Sequence, residues 1–144
     1  MADSRRSVSL TRLETGVYEA HNGRGGTLRF GSTAGDGFTP VELLLAAIGG
    51  CSAVDIDVVT ARRVEPAQFE VEISADKVRD EHGNRLTDIH MVFSIAFPEG
   101  PDGDAARAVA PAAARASHDK TCTVSRTIER GTPVRLSLAP PAEA

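Results

Sequence analysis

Two side chains in this sequence can exchange electrons, Cys51 and Cys122. A thiolate attacks oxygen and sulfur readily, and two thiols that meet can cycle between dithiol and disulfide. The pair is far too widely spaced to be a CxxC motif, so any partnership depends on the fold bringing the two Cα atoms to about 4.4–6.8 Å. Taken alone, Cys51 is equally readable as a small core residue and Cys122 as an unrelated thiol. His118 stands four residues before Cys122, the helical spacing for a shared metal. Further ligands would have to come from Cys51 and an unidentified group, so no metal is expected. His21 and His82 sit at turn signals and His90 in a strand, without matched partners. The glycines of Gly23–Gly26 open no strand-to-helix junction with a following Lys-Ser/Thr, which excludes a phosphate cradle.

The elements that must position the cysteines follow from periodicity. Thr39-Pro40-Val41-Glu42 places a good N-cap, a proline at N1 and a glutamate at N3. A helix is predicted from there to about Arg63, with Leu44, Ala47, Ile48, Cys51, Val54 and Val58 on its apolar stripe. Ahead of it, Ser7–Leu13, Val17–His21 and Thr27–Phe30 alternate around Asn22-Gly23 and predict a β-meander. Gln68–Val78 and Arg85–Phe97 alternate about Glu81-His82-Gly83-Asn84 and predict a second hairpin. The Ala-rich stretch Asp102–Lys120 is expected to be helical, with Pro111 kinking or restarting it. After Cys122 a short helix should reach Arg130, Gly131 should cap it, and Val134–Leu138 alternates as a last strand. The order implies a single α+β domain over residues 1–144, antiparallel hairpins with helices stacked on them, and flexible ends at 1–6 and 139–144.

Composition narrows the chemistry. The chain has 144 residues, enough for one hydrophobic core, with 41% hydrophobic and 25% charged residues. A net charge of −4 without a basic stripe argues against a nucleic-acid partner, because neutralising phosphates needs a concentrated basic face. The N-terminus lacks the apolar run of a signal peptide, and the apolar stretch Leu43–Val54 falls short of the roughly 20 residues needed to cross a bilayer. A cytoplasmic location without membrane partners is therefore expected. In a reducing compartment a cysteine pair is more often redox-active than structural. The apolar faces of Leu43–Val54 exceed what a small sheet covers, which predicts burial against a second subunit in a homodimer.

The segment Pro40-Val41-Glu42-Leu43-Leu44-Leu45-Ala46-Ala47-Ile48-Gly49-Gly50-Cys51-Ser52-Ala53 resembles the first cysteine helix of the OsmC/Ohr family. Thr121-Cys122-Thr123-Val124-Ser125-Arg126 is similar to that family's second cysteine motif, and the likeness runs from about Leu13 to Leu138, closest to the YhfA-like branch. The resemblance implies the OsmC-like fold: antiparallel sheets, a long central cysteine helix, a second helix and an intertwined homodimer. It also implies a thiol peroxidase acting on organic hydroperoxides, and on hydrogen peroxide as a further substrate. Cys51 would become a sulfenic acid, Cys122 would resolve it, and a lipoyl-type or other dithiol would recycle the pair, with no bound cofactor. Because Cys51 lies mid-helix, its thiolate would need a cation from elsewhere. In the family this is an arginine of the N-terminal β region held by a glutamate early in the cysteine helix. Arg29, in a strand, is preferred over Arg24, in a turn. Glu42 is the matching glutamate, one position beyond the family's own, and it is also explained as the N3 partner of Thr39. The displaced glutamate favours the alternative, an OsmC-like redox-sensing or small-molecule-binding protein with little peroxidase turnover.

Overall fold

The computed structural model describes residues 4–33 and 35–141. The chain divides into two units, each interrupted in sequence: residues 1–49 with 72–91, and residues 50–71 with 92–144.

In the first unit, strands β1 (Ser9–Glu14), β2 (Val17–His21) and β3 (Thr27–Gly31) form an antiparallel meander in the order β1-β2-β3. Leu10 faces Ala20, and Glu19 faces Arg29. The β2–β3 connection is wider than the predicted two-residue turn. The Asn22 side chain accepts hydrogen bonds from the Arg24 and Gly26 N–H groups, both at 2.9 Å, so it closes a loop that the backbone alone would have closed more tightly. At the end of β3 a glycine is required. Gly31 has φ 153°, and a Cβ there would lie 1.9 Å from the Gly16 carbonyl oxygen.

The chain then reaches helix α1 (Pro40–Thr60), whose start is the capping box read from sequence. The Thr39 N–H donates to Glu42 Oε1 at 2.8 Å, and the Glu42 N–H donates to Thr39 Oγ1 at 3.2 Å. Such a cap is worth about 1 kcal/mol. Strands β4 (Gln68–Asp80) and β5 (Gly83–Ala96) form the second, two-stranded sheet. Their turn is fastened by Asp80, which accepts from the His82 N–H and from Arg85 Nε, each at 2.8 Å.

The second unit holds the rest of α1, the base of the β4–β5 hairpin, helix α2 (Pro101–Ala116), a π-helical turn (Ser117–Thr121) and helix α3 (Thr123–Glu129). Phe69 and Phe93 meet edge to face across the hairpin base, with ring centroids 6.3 Å apart. Ile56, Phe97, Ala106, Ala113 and Cys122 are its buried apolar side chains. At the start of α2, a Cβ on Gly103 would come within 1.7 Å of the Pro98 carbonyl oxygen, so only glycine admits that approach. Pro111 neither ends nor restarts α2, which carries it internally to Ala116.

Three expectations are corrected. No strand forms over Val134–Leu138: Val134, Leu136 and Leu138 are 95%, 84% and 90% exposed, because an alternating segment becomes a strand only where another strand pairs with it. The buried line of α1 runs through Ile48, Ser52, Ile56 and Thr60, while Val54 and Val58 of the predicted stripe face outward. A helix apolar on most of its circumference does not declare which face is inner. At 21 residues and a mean hydropathy of 1.8, α1 is also long and apolar enough to cross a bilayer by length and composition, unlike the shorter run Leu43–Val54. Its Asp55 and Thr60 side chains are nevertheless hydrogen-bonded within the second unit. The expected flexible ends fall in part on residues 1–3 and 142–144, outside the described residues.

Candidate functional site

Cys51 and Cys122 come together in the second unit. α1 carries Cys51 on its half-buried edge, beside the inner residue Ser52. Cys122 is fully buried and ends the turn that follows α2, with extended backbone (φ −73°, ψ 98°) that breaks the helix and makes it the N-cap of α3. Each cysteine is a free thiol, and the two side chains stand close enough for each to shift the other's acidity.

The first turn of α3 points its unshared N–H groups at sulfur. The Ser125 N–H donates to Cys122 Sγ at 3.4 Å, and Ser125 Oγ lies 3.2 Å from the same atom. The N–H groups of Val124 and Thr123 favour the thiolate of Cys51. The sequence argument that a mid-helix Cys51 lies beyond any helix N-terminus holds for its own helix only. Another helix brings its N-terminus to it.

The two thiols are not equivalent in acidity. Burial pushes Cys51 above its ordinary value, and Cys122 adds to the rise, which the Val124 and Thr123 N–H groups oppose. Cys122 moves the other way. Burial alone would raise it, but the hydroxyls of Ser125 and Ser52, the Ser125 N–H and the Cys51 thiol together bring it below its ordinary value. Ser52 Oγ is buried and has no hydrogen-bond partner of ordinary geometry among the described residues. Ionised Cys122 is the acceptor it lacks. The pair can therefore hold one negative charge shared between two sulfurs, with Cys122 the better seat and Cys51 the better exposed.

Of the remaining candidates from sequence, Arg29 and Glu42 lie in the first unit and His118 in the second. Arg29, on β3, is 61% exposed and 3.8 Å from Glu14. Glu42 is held by Thr39 in the capping box, and those hydrogen bonds lower its carboxyl below the ordinary range. His118 is engaged by Asp119 at 2.9 Å and by Glu129 at 3.3 Å.

Sequence reasoning missed Ser125 and Ser52, and the hydrogen-bonding role of Asp55. A signal for Ser125 was present. It lies three residues after Cys122, the spacing at which an N-cap side chain receives the N3 N–H. No comparable signal marks Asp55, whose partners Ser117 and Thr121 are more than 60 residues away.

The comparisons with known proteins agree with this architecture. The family model described as OsmC-like protein matches residues 33–137. Protein YhfA of Escherichia coli is 30% identical over 93 residues, 64% of this chain, and the match spans 65% of the length of YhfA. Among solved structures, a hypothetical protein from Aquifex aeolicus superposes with a TM-score of 0.70 at 20% identity, covering 90% of this chain and 91% of that one. The organic hydroperoxide resistance protein OhrB of Bacillus subtilis superposes with a TM-score of 0.54 at 18% identity, covering 84% and 89%. A family match over most of the chain, on a fold that solved OsmC-like proteins share, has one conclusion: this chain belongs to the OsmC-like protein family.

Proposed function

We propose that the protein is a thiol-dependent peroxidase that reduces organic hydroperoxides, with hydrogen peroxide as a further substrate. The observation that carries this reading is the meeting of Cys51 and Cys122 as free thiols on the N-terminal turn of α3. Cys51 is the more exposed sulfur and meets the peroxide. On transfer of its proton to the neighbouring thiolate of Cys122, the Cys51 thiolate attacks the outer peroxide oxygen. The O–O bond breaks, the alkoxide takes a proton and leaves as alcohol, and Cys51 becomes a sulfenic acid. Cys122 then attacks the sulfenyl sulfur and expels water, forming the disulfide. An external dithiol, lipoyl-type or similar, returns two electrons and two protons by thiol–disulfide exchange. No bound cofactor enters this cycle.

Three further parts of the proposal extend it. Arg29 is the cation that favours the Cys51 thiolate, with Glu42 as its holder, as the family resemblance implies. The working form is a homodimer in the cytoplasm; the exposed Val41, Val54 and Val58 on α1, together with Val134, Leu136 and Leu138, support a covering second copy. The dithiol and the hydroperoxide are the small-molecule partners.

A second reading, a redox-sensing or small-molecule-binding protein with little turnover, is favoured by the raised pKa of Cys51 and the engagement of Glu42 by Thr39. Steady-state consumption of cumene hydroperoxide with a dithiol present separates the two. Sustained turnover is expected. One equivalent consumed with a lasting disulfide, and nothing more, would replace the peroxidase reading with the second.

A further inference from the structure

Asp55 stands one helical turn beyond Cys51 on α1, and its Oδ2 accepts two hydrogen bonds, from Ser117 Oγ at 2.8 Å and from Thr121 Oγ1 at 2.9 Å. Ser117 and Thr121 are the first and last residues of the π-helical turn that leads into Cys122. Ser117 is 1% exposed. Its carbonyl accepts the Cys122 N–H at 2.9 Å, the wide i to i−5 bond that defines the turn. One carboxylate oxygen thus grips both ends of the segment that delivers the second thiol, and the grip comes from the helix that bears the first. A π-helical turn is less well packed than an α-helical one and persists where something outside the backbone holds it. Hydrogen bonds to a charged acceptor are about twice as strong as neutral ones.

We propose that Asp55 is a positioning residue that holds the Cys122 turn against Cys51, so that the two thiols meet at the separation from which a disulfide closes. The proposal rests on the reading that Cys51 and Cys122 form a redox pair. Asp55 acts through Ser117 and Thr121 rather than on either sulfur. A carboxylate close to a thiol opposes its ionisation, but Asp55 is not among the groups that shift either sulfur. The arrangement is therefore a mechanical link between the two cysteine-bearing segments.

The test is the equilibrium between dithiol and intramolecular disulfide in glutathione redox buffers, read by mass spectrometry after acid quench, on full-length protein. Asp55→Ala should lower the equilibrium constant about tenfold, the scale of losing a charged acceptor for two hydroxyls. Asp55→Asn keeps an acceptor oxygen and should recover most of the loss. Ser117→Ala combined with Asp55→Ala should be no worse than Asp55→Ala alone, since both remove the same link. Alkylation of Cys51 in the Cys122→Ser background should be unchanged by Asp55→Ala, which a general loss of fold would not allow. If Asp55→Ala fails to fold, the Ser117→Ala and Thr121→Val double variant carries the same expectation. An unchanged equilibrium constant in the folded variant, or additive losses in the combination, overturns the proposal. Wild-type protein that forms no intramolecular disulfide at any redox poise removes the redox pair itself, a failure distinct from an indifferent Asp55.

Discussion

Cys51 and Cys122 are the same chemical group placed in two kinds of backbone. Cys51 lies within a 21-residue helix, where its own N–H and C=O are committed, so its sulfur depends on groups brought from elsewhere. Cys122 lies at a break between a π-helical turn and a helix, where N–H groups are unshared by construction. Burial pushes the first thiol's pKa up, while local donors bring the second's down despite deeper burial. The lesson is that acidity and accessibility have been given to different sulfurs. A thiol that is easily reached and a thiol that is easily ionised can cooperate by moving one proton between them.

The comparison breaks most sharply at the cysteines themselves. Cys51→Ser should abolish peroxide consumption, whereas Cys122→Ser should consume about one equivalent, become trappable by a sulfenic-acid probe and then over-oxidise. Equal behaviour of the two variants in a stopped peroxide assay would erase the distinction. Arg29→Ala comes next. A cation within about 4–6 Å shifts a thiol by 1–3 pH units, so its loss should raise the pH at which iodoacetamide alkylates Cys51 in the Cys122→Ser background, and Arg24→Ala should not. If neither arginine matters, the N–H groups of Thr123 and Val124 are the thiolate's support. Ser125→Ala removes a hydroxyl from Cys122 and should slow disulfide closure at neutral pH about three- to tenfold, measured by quenched-flow alkylation.

The smallest effect is expected at His118. Asp119 first, and then Glu129, raise its pKa above the ordinary value, which means that folding favours the protonated ring. The stability so gained is complete below the unfolded value of about 6.5 and is lost as pH rises through the higher folded value. Its side chain is more than half exposed, so solvent screening holds the gain to a few tenths of a kcal/mol. Urea unfolding of wild type and His118→Gln should differ slightly near pH 5.5 and coincide near pH 9.

Much of the frame was legible because local chemistry decides it. Thr39-Pro40-Val41-Glu42 can do little but start a helix, and the alternation of Gln68–Val78 and Arg85–Phe97 around Glu81–Asn84 specifies a hairpin. The meander was legible as well, though not the Asn22 loop, where a side chain outbid the two-residue turn. What stayed hidden depends on distant partners. Val134–Leu138 has a strand's alternation without a strand's neighbour. The inner face of α1 is chosen by what packs on it, and its sequence is apolar nearly all round. The π-helical turn has no residue pattern of its own, and Asp55 finds Ser117 and Thr121 only through the fold.

Cys122 does two jobs with one atom: its sulfur is the second thiol, and it is also the acceptor that caps α3. Sequence drift at this position is therefore channelled. Replacement by alanine or valine would lose the thiol and uncap the helix together, a double cost of which the cap alone is about 1 kcal/mol. Serine, threonine, aspartate or asparagine would surrender the thiol while keeping the helix start intact. A descendant that abandoned thiol chemistry should thus carry a small oxygen-bearing side chain here, leaving in its fold a trace of the cysteine it replaced.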